Sequence, residues 1–445
     1  MSSDHSPRRS ITADSGPPAL GSLVPVRIES PVAGGRCVAR HEGRIAFVRG
    51  ALPDEEVMVG ITGYGRGGSF LWAETVEVLQ PSPDRVTPPC PVAGVCGGCD
   101  WQHATLDAQR RLKAEVIIDA LKRTGGLTEI GGIALAESIT VNPLDDGDGL
   151  GWRTRMRYAT DGHGRIGLRA HESHRIIPAA TCPLAVAEVR HLISELDDSL
   201  AAEQRTWPAK SDVTVAASAS GEMVLAVEPA DRVWADGIAG RLPVDVAIGG
   251  IRGDGWMTEI AAARSWRVRG DGFWQVHPNA AETLVKTVVD LCSPKPGDRV
   301  LDLFSGVGLF AGALASIVGP GGSVDAVERD RYAVDAAREN LRDLPQIRCH
   351  RSSVTKWLAR PGKVRHSDVV VLDPPRAGAG REAVEMISAR QPRVIAYVAC
   401  DPVALARDLK CFAGSGYQTM QVRAFDIFPM TKHVECIALL SPIGT

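Results

Sequence analysis

Val300-Leu301-Asp302-Leu303-Phe304-Ser305-Gly306-Val307-Gly308-Leu309 decides the fold of this chain. Its opening residues are nearly all apolar, as in a strand buried on both faces, and its glycines let the backbone turn tightly before a further apolar stretch. Working outward, similar runs recur at Ser323-Val324-Asp325-Ala326-Val327-Glu328, Asp368-Val369-Val370-Val371-Leu372 and Val394-Ile395-Ala396-Tyr397-Val398-Ala399, with helical spacing at 333–341 and 381–389 between them. Strand and helix alternating in this way predict a doubly wound α/β domain over 271–445.

Within that domain the glycine loop lets backbone approach a ligand, and Glu328, ending the next strand, is placed to bind ribose hydroxyls. Only two glycines are present, without the third of the dinucleotide fingerprint, which favours S-adenosylmethionine (SAM) over NAD. Asp373-Pro374-Pro375-Arg376 closes a later strand, where open α/β sheets collect ligands. The two prolines stiffen the backbone and fix the direction of Asp373.

At 445 residues the chain exceeds one ordinary core, and two or three domains are expected. Residues 1–21 are rich in Ser, Pro and charge and read as a tail without a signal-peptide centre. Residues 22–80 alternate apolar and polar positions between glycine turns, which suits a small β-barrel. Residues 81–270 form a central α+β region, in which a helix near Leu106 is placed to pack on the C-terminal domain. No segment has the ~20 apolar residues that span a bilayer, so a cytoplasmic, membrane-free protein is expected. A net charge of −3 gives no global basic field, and any RNA contact must use local charge.

Ten cysteines without an export signal are not read as a disulfide framework. Cys90, Cys96 and Cys99 lie within ten residues in a glycine-containing loop, the setting of a zinc or iron–sulfur centre. Cys400 ends an apolar strand and precedes Asp401-Pro402. Glu435 closes Phe428-Pro429-Met430-Thr431-Lys432-His433-Val434-Glu435. Cys37, Cys292, Cys349, Cys411 and Cys436 have no such context and read as structural.

Gln275 in Phe273-Trp274-Gln275-Val276, the Asp302 loop, Asp-Pro-Pro-Arg, Cys400-Asp401-Pro402 and the segment ending at Glu435 occur in the order of the SAM-dependent RNA 5-methyluridine methyltransferases, which the chain resembles. Its N-terminal barrel looks like their TRAM domain. The resemblance implies a class I methyltransferase fold, a SAM site lined by Gln275, Phe304, Gly306, Glu328 and Asp373, Cys400 as nucleophile and Glu435 as base. It also implies a 4Fe–4S cluster on Cys90, Cys96, Cys99 and Cys182, with zinc the alternative. Two departures stand out: Leu309 and His277 occupy positions where the family usually has Asn. Ser352-Ser353 leaves the adenine contact unassigned.

The implied chemistry needs both residues. Uracil carbon 5 is a poor nucleophile until a thiolate adds at carbon 6, and a base must afterwards remove the carbon 5 proton. A thiol of ordinary pKa near 8.5 would then need local stabilisation as thiolate. Exocyclic-amine methylation and a catalytically inactive RNA-binding module are the competing readings. The expected partner is rRNA or tRNA, with a looped or extruded uridine, bound by a monomer. The alternation of Trp152-Arg153-Thr154-Arg155-Met156-Arg157-Tyr158 puts three arginines on one strand face, a candidate phosphate-contacting ladder.

Overall fold

The computed structural model describes residues 16–229, 232–240, 242, 246–248, 254–360 and 366–444. Residues 1–15 of the expected tail lie outside these. The chain forms two compact units, 1–86 and 87–445.

The first unit is a closed five-stranded barrel in the order Leu23–Val32, Arg36–His41, Arg44–Arg49, Phe70–Gln80, Glu56–Tyr64. Strict alternation sends Val24, Val26, Ile28, Ala46, Val48, Val57, Val59, Leu71 and Ala73 inward as one core. The strand Arg36–His41 escaped the sequence reading, because its inward residues, Cys37 and Ala39, are small and the apolar Val38 between them breaks the alternation. Glu55 is fully buried where the barrel closes. It accepts from the Arg85 guanidinium at 2.5 and 2.7 Å and from the Leu52 amide at 2.8 Å, which satisfies the carboxylate. Tyr64 donates to the Pro18 carbonyl at 2.7 Å, so residues just before the barrel dock on it.

The second unit is built on an eight-stranded sheet ordered Ile347–Arg351, Ser323–Glu328, Arg299–Leu303, Val369–Leu372, Val394–Ala399, Glu435–Pro442, Tyr417–Asp426, Val141–Pro143. The first five strands are mutually parallel, and Glu435–Pro442 runs antiparallel between its neighbours. The fully apolar strands follow from burial on both faces: helices Ala280–Cys292 and Leu309–Val318 supply one core, and helices Leu106–Ala120, Arg381–Ser388 and Pro402–Gly414 supply the other. Strand order reverses between Arg299–Leu303 and Val369–Leu372, which opens a crevice at their carboxyl ends.

A six-stranded sheet spans 155–248, with helix Ala187–Ala202 sharing its core. The sequence reading placed a further boundary at residue 270. The packing crosses that point: helix Leu106–Ala120 and strand Val141–Pro143 belong to the eight-stranded sheet and its core. The hairpin of Trp256–Ala261 and Arg264–Arg269 buries Met257, Trp266 and Val268 in the same body. Among the described residues no helix is long and apolar enough to cross a membrane.

Candidate functional site

The glycine loop and Asp373 flank the crevice at the switch point. Phe304 leaves its strand at φ 62°, Gly306 sits at φ 53° and Gly308 at φ 91°. A non-glycine residue in this region stores strain that the surroundings must hold, a frequent mark of a ligand-facing turn. The Gly306 amide donates to Glu328 Oε2 at 3.1 Å, and the Glu328 carboxylate also accepts from the amides of Arg329 and Asp330 at 2.5 and 2.7 Å. Glu328 is thus fixed by backbone donors at the mouth of the crevice. Asp302 is fully buried below the loop, where Oδ2 accepts from the Ala311 amide at 2.8 Å and Oδ1 has no partner. Burial pushes its carboxyl up to about 7, the Ala311 hydrogen bond opposes this, and nearby Asp373 and Glu328 add to it. Burial likewise raises Asp373 to about 7. Gln275 is half-buried just before helix Ala280–Cys292, and the Thr154 amide and hydroxyl both donate to the adjoining Val276 carbonyl.

Strand register brings Cys400 and Glu435 together. Ala399 pairs with Cys436 and Phe425 with Glu435, so Cys400, one residue past its strand, stands opposite Glu435 on the antiparallel ladder. Asp401 caps the next helix by accepting from the Ala404 amide at 2.8 Å, which holds Cys400 at the strand–helix junction. Glu435 is 4 % exposed, and burial followed by Asp373 keeps its carboxyl well above the ordinary range. The Cys400 thiol is pushed up to about 11 by burial and then by Glu435 and Asp373, while Arg376 pulls the other way. The expected thiolate stabilisation is therefore not built into the protein alone, because two carboxyl groups share the pocket with the sulfur. Cys436 points into the opposite core and is fully buried.

The segment before Glu435 is held by residues that sequence reasoning missed. Lys113, fully buried, reaches Asp426 at 2.5 Å and the Phe428 carbonyl at 3.0 Å. Gln109 accepts from the Met430 amide at 2.7 Å. These partners lie more than 300 positions apart in the chain, and only the helix pattern around Leu106 hinted at the contact. Ser352 was left unassigned; its hydroxyl is buried without a partner beside Glu328, whose carbonyl accepts from the Ser352 amide at 2.8 Å.

Both departures have structural explanations. Leu309 opens helix Leu309–Val318 and is buried in the apolar core rather than facing a polar ligand. His277 stacks on Trp152 with ring centroids 6.0 Å apart, contacts Asp145 at 3.2 Å and accepts from the Asn279 amide at 3.2 Å. Burial lowers its pKa, so it is a neutral packing residue.

Cys90, Cys96, Cys99 and Cys182 line one cavity of about 370 Å³ together with Gln102 and Arg153. None of the four is in a disulfide. Burial pushes Cys99 up to about 12; a Gln102 hydrogen bond opposes this, and the other three thiols reinforce it. Among the described residues no three His, Cys, Asp or Glu side chains are close enough to hold a single ion.

The arginine ladder is not intact. Arg155 is buried, with its guanidinium on the carbonyls of Arg269 and Gly272 at 3.0 and 2.8 Å and on Glu259 at 3.3 Å. Arg157 and Arg169 share Asp212 at 2.9 and 2.8 Å. Alternation correctly put Arg155 and Arg157 on one face, but it could not reveal that the chain at 256–272 covers part of that face.

Comparison with known proteins bears on the family and the fold. The tRNA (Uracil-5-)-methyltransferase family profile matches residues 363–443, the TRAM domain profile residues 19–65, and the protein-L-isoaspartate O-methyltransferase profile residues 277–354. An uncharacterized RNA methyltransferase of Streptomyces avermitilis is 44% identical, the match covering 95% of this chain and 99% of the relative. The 23S rRNA (uracil(1939)-C(5))-methyltransferase RlmD of Shewanella baltica is 29% identical over 91% of this chain and 92% of its own length. The crystal structure of Pyrococcus abyssi tRNA (uracil-54, C5)-methyltransferase with S-adenosyl-L-homocysteine shares the fold, with a TM-score of 0.69 at 22% identity over 93% of this chain and 100% of that one. The fold is shared with that methyltransferase. The chain belongs to the RNA methyltransferases, its C-terminal residues matching the tRNA (Uracil-5-)-methyltransferase profile and its N-terminal residues the TRAM profile.

Proposed function

We infer that this enzyme transfers a methyl group from SAM to carbon 5 of a uridine in rRNA or tRNA through a covalent Cys400–uracil adduct. The observation that carries the reading is the placement of Cys400 opposite Glu435, beside Asp373 at the edge of the cofactor crevice. The Cys400 sulfur, having lost its proton, adds to carbon 6, and the ring electrons form an enolate. Carbon 5 then takes the methyl group, and S-adenosylhomocysteine leaves. Glu435 as carboxylate accepts the carbon 5 proton, carbon 5–carbon 6 unsaturation returns, and the thiolate departs. The pKa values of Cys400 and Glu435 are raised by burial and by neighbouring carboxyl groups. A sulfonium beside Asp373 brings a positive charge that favours both ionised forms.

In the same reading Gln275, Phe304, Gly306, Glu328 and Asp373 hold SAM, and the RNA presents a looped uridine to a monomer in the cytoplasm. Cys90, Cys96, Cys99 and Cys182 fit a 4Fe–4S cluster. All four residues line one cavity, and cysteine thiolates are the ligands that such clusters take. Such a cluster would supply a structural centre that shapes the 90–99 loop.

The test uses total RNA from deletion-strain cells grown with 5-fluorouracil. The wild-type enzyme with SAM should form a denaturation-resistant protein–RNA adduct, and Cys400→Ala should form none while losing methylation to background. Methylation by Cys400→Ala would overturn the proposal in favour of exocyclic-amine transfer.

A further inference from the structure

Cys400 and Glu435 are held by different parts of the molecule. Cys400 stands between strand Val394–Ala399 and the helix capped by Asp401, a junction built from adjacent residues. Glu435 begins its strand directly after the loop 427–434, so its place depends on how that loop is tied down.

The loop is tied to the segment leaving the cysteine cavity. The Met430 carbonyl accepts from the amides of both Asp100 and Trp101 at 3.1 Å. The Asp100 carboxylate accepts from the Lys432 amide at 3.0 Å and lies 3.6 Å from the Lys432 ammonium. Met430 itself sits at φ 69°, a conformation that a non-glycine residue keeps only where its surroundings enforce it. The Asp100 side chain is 8 % exposed, so these bonds form where water competes poorly. Asp100 is next to Cys99, and Lys432 is three positions before Glu435.

We propose that Asp100 is a positioning residue for the base: it latches the 427–434 loop so that Glu435 is set to remove the carbon 5 proton, without acting on the addition of Cys400. The inference rests on the adduct mechanism above, and it separates the two halves of that mechanism. Loosening the latch leaves addition and methyl transfer intact and slows the proton step, so the methylated covalent adduct should build up.

The experiment compares full-length wild type, Asp100→Ala and Asp100→Asn, each confirmed as folded by its thermal transition. With 5-fluorouracil-substituted total RNA, Asp100→Ala should form the adduct to the wild-type extent. With ordinary deletion-strain RNA and SAM, it should show at least ~10-fold more covalent species on a denaturing gel. Its kcat should fall about 10–100-fold with the KM for SAM within about 3-fold, the scale of a displaced general base. Asp100→Asn keeps an oxygen for the Lys432 amide and should recover most of the turnover. The proposal is overturned if Asp100→Ala turns over like wild type. It is equally overturned if adduct formation and methylation fall together in folded protein, which is the signature of a general structural role. If wild type forms no fluorouracil adduct, the Cys400 mechanism itself has failed, and the latch falls with it.

Discussion

The cofactor side and the reactive side of the same sheet are made in opposite ways. On the cofactor side, Asp302, Gly306 and Glu328 lie within one strand–turn–helix–strand stretch, and their geometry is set by bonds between near neighbours in the chain. On the reactive side, Cys400 meets Glu435 through antiparallel register, and the loop before Glu435 is fixed by Asp100, Gln109 and Lys113. A ligand loop can be specified locally. The Cys400–Glu435 pair is assembled from segments that meet only when the sheet forms.

The largest effect expected from this contrast is at Lys113. Removing one member of a buried ion pair typically costs ~3–5 kcal/mol, because the remaining charge is stranded. Lys113→Met should lower stability by about that amount and depress methylation strongly, with SAM affinity within about 3-fold of wild type by calorimetry. Adding Asp426→Leu should restore most of the stability but not the activity, since Phe428 would still lack its donor. A parallel loss of SAM binding would show that the two sides are not separable.

Gly308→Ala tests the other side. At φ 91° an added Cβ would lie 2.5 Å from Leu341 Cδ1, and left-handed backbone alone costs an L-residue roughly 1–2 kcal/mol. SAM affinity should weaken about 10-fold or more, whereas adduct formation at saturating SAM should approach wild type. The reverse pattern would break the contrast.

The smallest effect concerns Asp302. Its carboxyl rises from 3.8 to about 7 in the fold, so the native state holds a proton that the unfolded chain has released. Stability from this group is therefore present at low pH and lost as pH climbs from about 4 to about 7. The difference in melting temperature between wild type and Asp302→Asn should move in favour of wild type as pH falls from neutral toward 5. A pH-independent difference would mean that Asp302 is ionised in the fold.

These contrasts track what could be read in advance. The parallel strands and the glycine turn were legible because a buried apolar run and a turn are written in residues a few positions apart. The barrel was legible from alternation, apart from Arg36–His41, whose small inward residues carry too weak a signal. The four cysteines were marked by type and spacing, but the cavity they share is a product of packing. Arg155 shows the limit most clearly: its face was read correctly, and its burial under 256–272 was not readable at all.

Residue order alone settled the family, the α/β alternation, the glycine turn and the identity of the sulfur and carboxylate placed opposite each other. Tertiary structure decided which carboxyl groups burial shifts toward the protonated form, which arginines are withdrawn from solvent, and how a loop near the C-terminus is anchored to the segment following Cys99. The reason is physical: backbone preference and side-chain period act over a few residues, whereas desolvation and long-range hydrogen bonds depend on neighbours that the linear order does not specify.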